Sequence, residues 1–566
     1  MTAVTTTPTQ PQSPWKEPAH WLRLLTGWHL FLVLLGAGGL VYLWTSGSEA
    51  VADWLRFVLT GLLLLLMVGS GTAVYYINQL NHRGRVLSLA INYLGFIFSL
   101  VVSMHLLSFF VGIDSLANNF GRGVPFLGLA LVGYFVASYA DRYEYNAQMQ
   151  RQLRQAGKWI AIVAAVGFLL AVRIVAGLQA TVARLDNLVV ITAVLAIPIF
   201  AICIWAMWRR PMADTFGATN AHGEMLSGWL FLSPNLLGFL IFFAGPLMLS
   251  LYVSFTNWDA FGTQDWVGAD NYAGLLNLTI APLDSPDQPA NQAIDVTTYS
   301  ELSRLTLFGR SYIIGAEDRL FWIALRNTIQ FAFLAVPLSV IPALFLANLL
   351  NSKIPGMTFF RAIYFLPSVA AVVGIALVWQ WLFNSTVGYI NYFITLAVDF
   401  LNSLGGPDQI TDPQIRWLSS SNTALLAVII MSAWQWTGFN TVLFLAGLQN
   451  IPKELYEAAT VDGATPWQKF YKVTLPLLAP TTFFVLTTAV IQSMQVFEQV
   501  FILIPTNPAG PNNSTLTIVL YLYQKGFQRF EQGYASAIAW VLFLLIFAVT
   551  LYQFQRQRKV GSTYDV

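Results

Sequence analysis

Residues 451–480 read IPKELYEAATVDGATPWQKFYKVTLPLLAP, with charged, small and helix-breaking residues in an order that suits gripping rather than bond-making. A short helix is expected from about Ile451 to Val461, with Asn450 as N-cap and Glu454 in the first turn, where an acid favours the helix dipole. Asp462 and Gly463 follow, and glycine tolerates the left-handed conformation that ends helices. Thr465-Pro466-Trp467-Gln468 then has the form of a capping box with proline at the first helical position. Leu475-Pro476 and Pro480 bend the chain onward. Ala458 and Ala459 present a surface small enough for another protein to approach, while Glu454 and Glu457 offer it charge. The alternative for this segment is an ordinary amphipathic interfacial helix.

Two further groups could hold a polar solute. Thr488, Gln492, Gln495 and Gln499 recur at helical spacing on an apolar run. In lipid such a stripe must face protein or a water-filled path, or else serve hydrogen bonds between helices. The segment SAWQWTGFN, 432–440, adds Gln435, Trp436, Phe439 and Asn440, equally suited to a polar solute or to interior packing. Trp379, Gln380, Trp381 and Asn384 are weaker candidates, because aromatics gather at membrane interfaces anyway. No catalytic or metal set is expected. The five histidines (His20, His29, His82, His105, His222) are scattered, and no G-x-x-x-x-G-K-[ST] phosphate loop occurs.

The elements that carry these residues follow from composition. The 566 residues are 56% hydrophobic and only 10% charged, against about 25% charged in soluble domains. A net charge of +2 also argues against an electrostatic nucleic-acid binder. Runs long enough to cross a bilayer lie near 22–44, 55–77, 86–112, 124–140, 158–178, 187–208, 229–254, 322–350, 359–384, 421–447, 480–504 and 535–555. The expected fold is therefore an all-α polytopic bundle of about 12 transmembrane helices. With both termini inside, the inner segments collect 18 of the 29 Lys and Arg residues but nine of the 27 acids. Counting 388–404 as a span would place Arg556, Arg558 and Lys559 outside, so that stretch is read as interfacial or re-entrant. The domains expected are a disordered cytoplasmic tail (1–20), a six-helix membrane region (21–210) and a second six-span region (211–566). The latter carries an external insert at 255–321 and the inner loop at 448–480. The insert is acidic and proline-bearing, and it reads equally as a docking surface for an extracytoplasmic partner or as a solvated loop.

Glu457-Ala458-Ala459, then Gly463, then Val473-x-Leu475-Pro476 resembles the EAA loop of binding-protein-dependent ATP-binding-cassette (ABC) importers. The likeness extends over about 228–560. SPNLLGFLIFFAGPLMLSLYVSFTNWD (233–259) and WVGADNYAGLL (266–276) are similar to the first core span and external segment of sugar permeases. FFRAIYFLPSVAAVVGIALVWQWLFNSTVGYIN (359–391), AGPNNSTLTIVLYLYQKGF (509–527) and GYASAIAWVLFLLIFAVTLYQF (533–554) follow in family order. Of the carbohydrate-uptake permeases, the larger, maltose-type subunit is the nearest likeness; this chain departs from it in having six spans before the core rather than about two.

The resemblance implies a type I ABC importer permease core at the C-terminal side, in a bacterial inner membrane, that is not itself an enzyme. Glu454, Glu457, Ala458, Ala459, Asp462, Gly463, Leu475 and Pro476 would couple to a separate ATPase. A second permease subunit, two ATPase copies and an extracytoplasmic solute-binding protein would complete the assembly. No cofactor is implied on this chain; ATP and Mg would be used by the ATPase. Sugar contacts would fall at Gln435, Trp436, Phe439, Asn440, Gln492, Ser493 and Gln495, with maltose, maltodextrin or trehalose as the type of cargo. Spans nine to twelve hold no buried basic residue, with Arg361 at the inner edge and Arg416 in an outer loop, so a neutral solute is expected over a phosphorylated one. The rival reading is a 12-helix secondary, ion-coupled sugar transporter. Such carriers usually keep acids or histidines deep in the membrane, whereas here the acids avoid the spans apart from Glu498.

Overall fold

The computed structural model describes residues 18–45, 53–107, 109–143, 145–171, 184–259, 261–262, 264–351, 356–404 and 410–561. Of the expected tail, residues 1–17 lie outside these. Pro18 opens the first helix, a position where its missing N–H loses no bond. Contacts divide the chain into two compact units, Met1–Leu237 and Gly238–Val566.

The first unit contains α1 (Pro18–Thr45), α2 (Asp53–Asn78), α3 (His82–Leu106), α4 (Phe109–Tyr139), α5 (Ala147–Ala171), α6 (Leu188–Trp208) and the short α7 (Arg210–Thr215). The boundary expected at 210 falls instead inside α8 (Asn220–Phe239). The reason is packing: Met212, Phe216 and Leu226 bury against Trp21, Leu25, Ile77 and Met207. Polar residues tie these apolar helices together. His29, fully buried, hydrogen-bonds through Nε2 to Ser88 Oγ at 2.8 Å, and Trp28 Nε1 donates to Asn92 Oδ1 at 2.9 Å.

In the second unit a π-helical turn (Leu240–Ala244) leads into α9 (Gly245–Val253). The external insert follows, with α10 (Asp270–Leu276), β1 (Leu278–Leu283), β2 (Ser300–Leu307) and β3 (Arg310–Ala316). Its three strands form an antiparallel sheet in the order β1-β3-β2, an addition to the expected all-α fold. Phe308 and Gly309, both at positive φ, make the two-residue hairpin turn that matches strand twist. Leu283, Ile294 and Ile313 form a small core under the sheet. Asp295 closes the preceding turn, its carboxyl held below the usual range by hydrogen bonds from the Thr297 hydroxyl and amide, then from the Thr298 hydroxyl.

The remaining helices are α11 (Arg319–Leu350), α12 (Met357–Val369), α13 (Val372–Leu382), α14 (Tyr389–Ser403), α15 (Ala424–Gln449), α16 (Lys453–Val461), α17 (Pro466–Lys469), α18 (Ala479–Met494), α19 (Glu498–Leu503), α20 (Ile518–Tyr523) and α21 (Gln532–Gly561). Among the described residues ten helices are long and apolar enough to cross a membrane, and two bent pairs raise the number to twelve. One pair, within 359–382, is bent by 98°; the other, Pro466–Leu477 with Ala479–Met494, by 68°. The 388–404 stretch forms the 15-residue α14, too short to span about 30 Å of hydrocarbon upright.

α11 and α15 are the axis of this unit. Gly438 lets α12 lie directly on α15, since a Cβ there would press on the Tyr364 carbonyl. One apolar core gathers Phe331, Ile375, Met431, Val500 and Ile538; a second, nearer the 451–480 loop, gathers Val340, Phe444, Leu448, Ile451 and Leu478.

Candidate functional site

The 451–480 loop folds as two short helices around a glycine. α16 begins at Lys453, two residues later than expected, and its N-cap is Pro452, without a side-chain bond. Asn450 instead ends α15, its amide donating to the Gly447 carbonyl at 3.2 Å, because α15 stays helical through Gln449. The other end of α16 is a Schellman motif. The Ala464 amide donates to the Ala459 carbonyl at 2.9 Å and the Gly463 amide to the Thr460 carbonyl at 3.0 Å, with Gly463 at φ +75°.

The capping box forms as expected. Thr465 Oγ1 accepts from the Gln468 amide at 3.3 Å, and Gln468 Oε1 accepts from the Thr465 amide at 2.8 Å. Replacing Thr465 by alanine removes one of these bonds and costs about 1 kcal/mol of local stability. Hydrogen exchange at the 467–470 amides is then expected to quicken roughly fivefold, and unchanged exchange would show that the cap contributes nothing.

The loop is anchored on one side and open on the other. Ile451 and Leu478 enter the nearby core, and the Tyr456 hydroxyl pairs with Thr474 Oγ1 at 3.0 Å. Lys469 Nζ donates to Thr460 Oγ1 at 2.7 Å, linking the two helices. Glu454, Glu457, Ala458, Asp462 and Gly463 are exposed; Ala459, Leu475 and Pro476 are half-buried. Val461 and Trp467, 88% and 60% exposed, add apolar surface beside the acids. The arrangement is a rigid knob, charged and apolar by turns, fixed at its base to the helices.

The expected solute contacts separate into two sets. On α15, Gln435, Trp436, Phe439 and Asn440 share one face. Trp436 packs edge-on against Phe331, ring centres 5.9 Å apart, so it is part of the core. Phe439 is half exposed between buried neighbours. Gln435 Oε1, Asn440 Nδ2, Ser432 Oγ on the same face and Thr487 Oγ1 on α18 are buried without a partner among the described residues. Unpaired buried polar atoms are unfavourable by about 1–3 kcal/mol each, so this face has hydrogen-bonding capacity that nothing among the described residues uses.

The second set is less coherent than its periodicity suggests. The stripe Thr488, Gln492, Gln495, Gln499 assumed one unbroken helix, but α18 ends at Met494 and Phe497 is non-helical (φ −141°, ψ −60°). The break has a tertiary cause: the Thr517 hydroxyl donates to the freed Val496 carbonyl at 3.0 Å. Gln492 and Gln495 are exposed, Gln499 sits on α19, and Ser493 is buried with its hydroxyl on the Val490 carbonyl at 2.8 Å. The weaker candidates divide as well. Trp379 packs on the core, Trp381 is 75% exposed, and Gln380 Nε2 donates to the Ile502 and Leu503 carbonyls at 2.7 and 3.2 Å.

Sequence reading missed the polar clamps at the end of the core remote from the loop. Asp318 caps α11 through Oδ1 on the Phe321 amide (3.0 Å), while its Oδ2 accepts from both the Tyr521 and Tyr534 hydroxyls at 2.6 Å. Asn327, buried in α11, donates to the Asn513 and Leu516 carbonyls at 2.8 and 3.0 Å. The one local signal was Asp318 as an N-cap before an apolar run; its tyrosine partners lie some 200 residues away.

The sequence that folds this way resembles one described family and several transport permeases. The family model described as binding-protein-dependent transport system inner membrane component matches residues 335–560. The probable ABC transporter permease protein YesP of Bacillus subtilis (strain 168) is 33% identical over 333 residues, 59% of this chain and 90% of its own length. The arabinooligosaccharides transport system permease protein AraP of the same organism is 31% identical over 331 residues, 58% and 88% of the two chains. The trehalose/maltose transport system permease protein MalF of Thermococcus litoralis is 32% identical over 242 residues, 43% and 76%. Each match spans most of the relative and only part of this chain.

Proposed function

The chain belongs to the inner-membrane components of binding-protein-dependent transport systems, the permease subunits of ABC transporters, and from that premise we propose that it translocates an oligosaccharide into the cell. It is a multi-pass membrane protein and not itself an enzyme. In this reading its 451–480 loop and both termini face the cytoplasm. The proposed partners are a second permease, two copies of an ATPase that uses ATP and Mg, and an extracytoplasmic solute-binding protein.

The observation that carries the reading is the loop's construction. An exposed acidic and small-residue helix, closed by a glycine at φ +75°, is held at its base by Tyr456, Thr474 and Ile451 against the core. Force applied to that knob moves the ends of α15 and α18 rather than bending a loose segment. Alternating access follows: ATPase closure shifts the knob, the core helices tilt, and the solute path opens to the other side. The unpaired amides and hydroxyls on α15 and α18 support a hydroxylated cargo, since sugar sites combine an apolar wall with a few converging polar groups. Relatives named for arabinooligosaccharides and for trehalose/maltose support an oligosaccharide without choosing among them.

The complete transporter, reconstituted in proteoliposomes with its binding protein, is expected to import at least one of arabinotriose, maltotriose or trehalose only when ATP is present. Uptake by the purified chain alone, driven by a proton or sodium gradient and indifferent to ATP, would establish the ion-coupled alternative instead.

A further inference from the structure

At the end of the core remote from the 451–480 loop lies a cavity of about 560 Å³. That volume falls among those of small-molecule sites, about 300–1,000 Å³, with room for more than one sugar ring. It is formed where the chain leaves α13, approaches α15 and leaves α19.

Its wall is built rather than incidental. Buried Asn391 accepts from Trp417 Nε1 at 2.9 Å and donates to the Ser385 and Ile415 carbonyls at 3.1 and 2.9 Å. The Thr423 hydroxyl holds the Arg416 and Trp417 carbonyls at 3.0 and 2.9 Å, and Gln380 holds the α19 end. These bonds brace the three loops, and further side chains line the cavity between them. Those side chains are of two kinds. Trp417, tilted on buried Phe383 with ring centres 5.3 Å apart, offers an aromatic surface. Asn384, Ser419, Thr506 and Arg416 are exposed in the lining, and the last three make no side-chain hydrogen bond among the described residues. Arg416, with five N–H donors, is the one charged residue among the described lining residues.

Aromatic surface beside uncharged donors and a single guanidinium is the chemistry that holds sugar rings by their C–H faces and hydroxyls. We infer that this cavity is an outer subsite that holds the leading rings of an oligosaccharide before it reaches the α15 face. The inference rests on the importer reading and adds a second, separate place of contact. A longer sugar occupies both places and a disaccharide only the inner one, so the subsite selects for chain length.

The test uses the complete reconstituted transporter with two pairs of probes, arabinobiose with arabinopentaose and maltose with maltopentaose. Arg416→Ala, which deletes donors, and Thr506→Trp, which fills the cavity, are each expected to raise KM for the transported pentasaccharide about fivefold. The disaccharide KM should move less than twofold and basal ATPase activity should stay unchanged. An equal rise for both lengths would mean that the cavity receives a side chain of the binding protein, and no rise for either would mean that it receives neither; both overturn the subsite. Failure of the wild type to import any of the four probes with ATP would sink the importer reading itself, and the subsite with it.

Discussion

A Gly463→Val chain should insert and accumulate normally yet lose at least about tenfold of ATP-driven uptake. Gly463 sits at φ +75° with open space where a Cβ would project, so crowding is not the difficulty. The backbone is. An L-residue in the left-handed region costs roughly 1–2 kcal/mol, and a β-branched one suffers most. Relief of that strain breaks the paired bonds from Gly463 to Thr460 and from Ala464 to Ala459, and α16 loses its fixed angle to α17. Asparagine visits the left-handed region more readily, so Gly463→Asn should retain most of the activity. Glu457→Lys makes an independent arm: Glu457 is exposed, so reversing its charge leaves the fold intact and changes only what a partner meets. Co-purification of the ATPase and its stimulation by loaded binding protein are the measurements. Full stimulation in both Gly463→Val and Glu457→Lys would remove this loop from the coupling role.

Asp318→Ala should cause the largest loss of stability in the core. One carboxylate caps α11 and accepts two tyrosine hydroxyls at 2.6 Å. Its removal leaves the Phe321 amide and the Tyr521 and Tyr534 hydroxyls without their acceptor, a loss of about 3–5 kcal/mol when a cap and two charge-assisted bonds are taken together. Tyr521, only 2% exposed, cannot turn to water for a replacement. Tyr521→Phe removes one bond and both of its needs, and should cost nearer about 1 kcal/mol. The thermal midpoint of the detergent-solubilised chain is expected to fall by several degrees for Asp318→Ala and much less for Tyr521→Phe. Equal midpoints for Asp318→Ala and wild type would show that the clamp is not a stability element.

The two sites differ in how far they could be read in advance. Gly463, the capping box and the exposed acids of α16 were legible because each is a local event, settled within about five residues by backbone conformation and by the first unpaired amides of a helix. The start of α16 was misplaced by two residues for the same reason in reverse: Asn450 could cap either helix, and α15 claimed it. The glutamine stripe was cut short, losing Gln499 to the next helix, for a different reason. Its period was real, but the helix that would have displayed it stops at Met494, where Thr517 accommodates the break. Hydrophobic periodicity cannot register a hydrogen bond to a carbonyl 21 residues distant. The insert's sheet was passed over because short strands among prolines and acids show little of the alternation that marks a half-buried surface.

Sequence alone determined that the chain crosses a membrane about twelve times and carries one exposed helix–glycine–helix loop between two spans. Bilayer thickness, charge asymmetry and glycine stereochemistry act on contiguous residues, so the order of residues suffices for them. Only the tertiary structure decided which polar residues are buried without partners, where α18 breaks, that Asp318 ties α11 to α20 and α21, and that three loops enclose a cavity beside Trp417. Those outcomes depend on groups brought together from distant parts of the chain. Whether a polar atom finds a partner in a medium with no water to offer one is settled only when the helices pack.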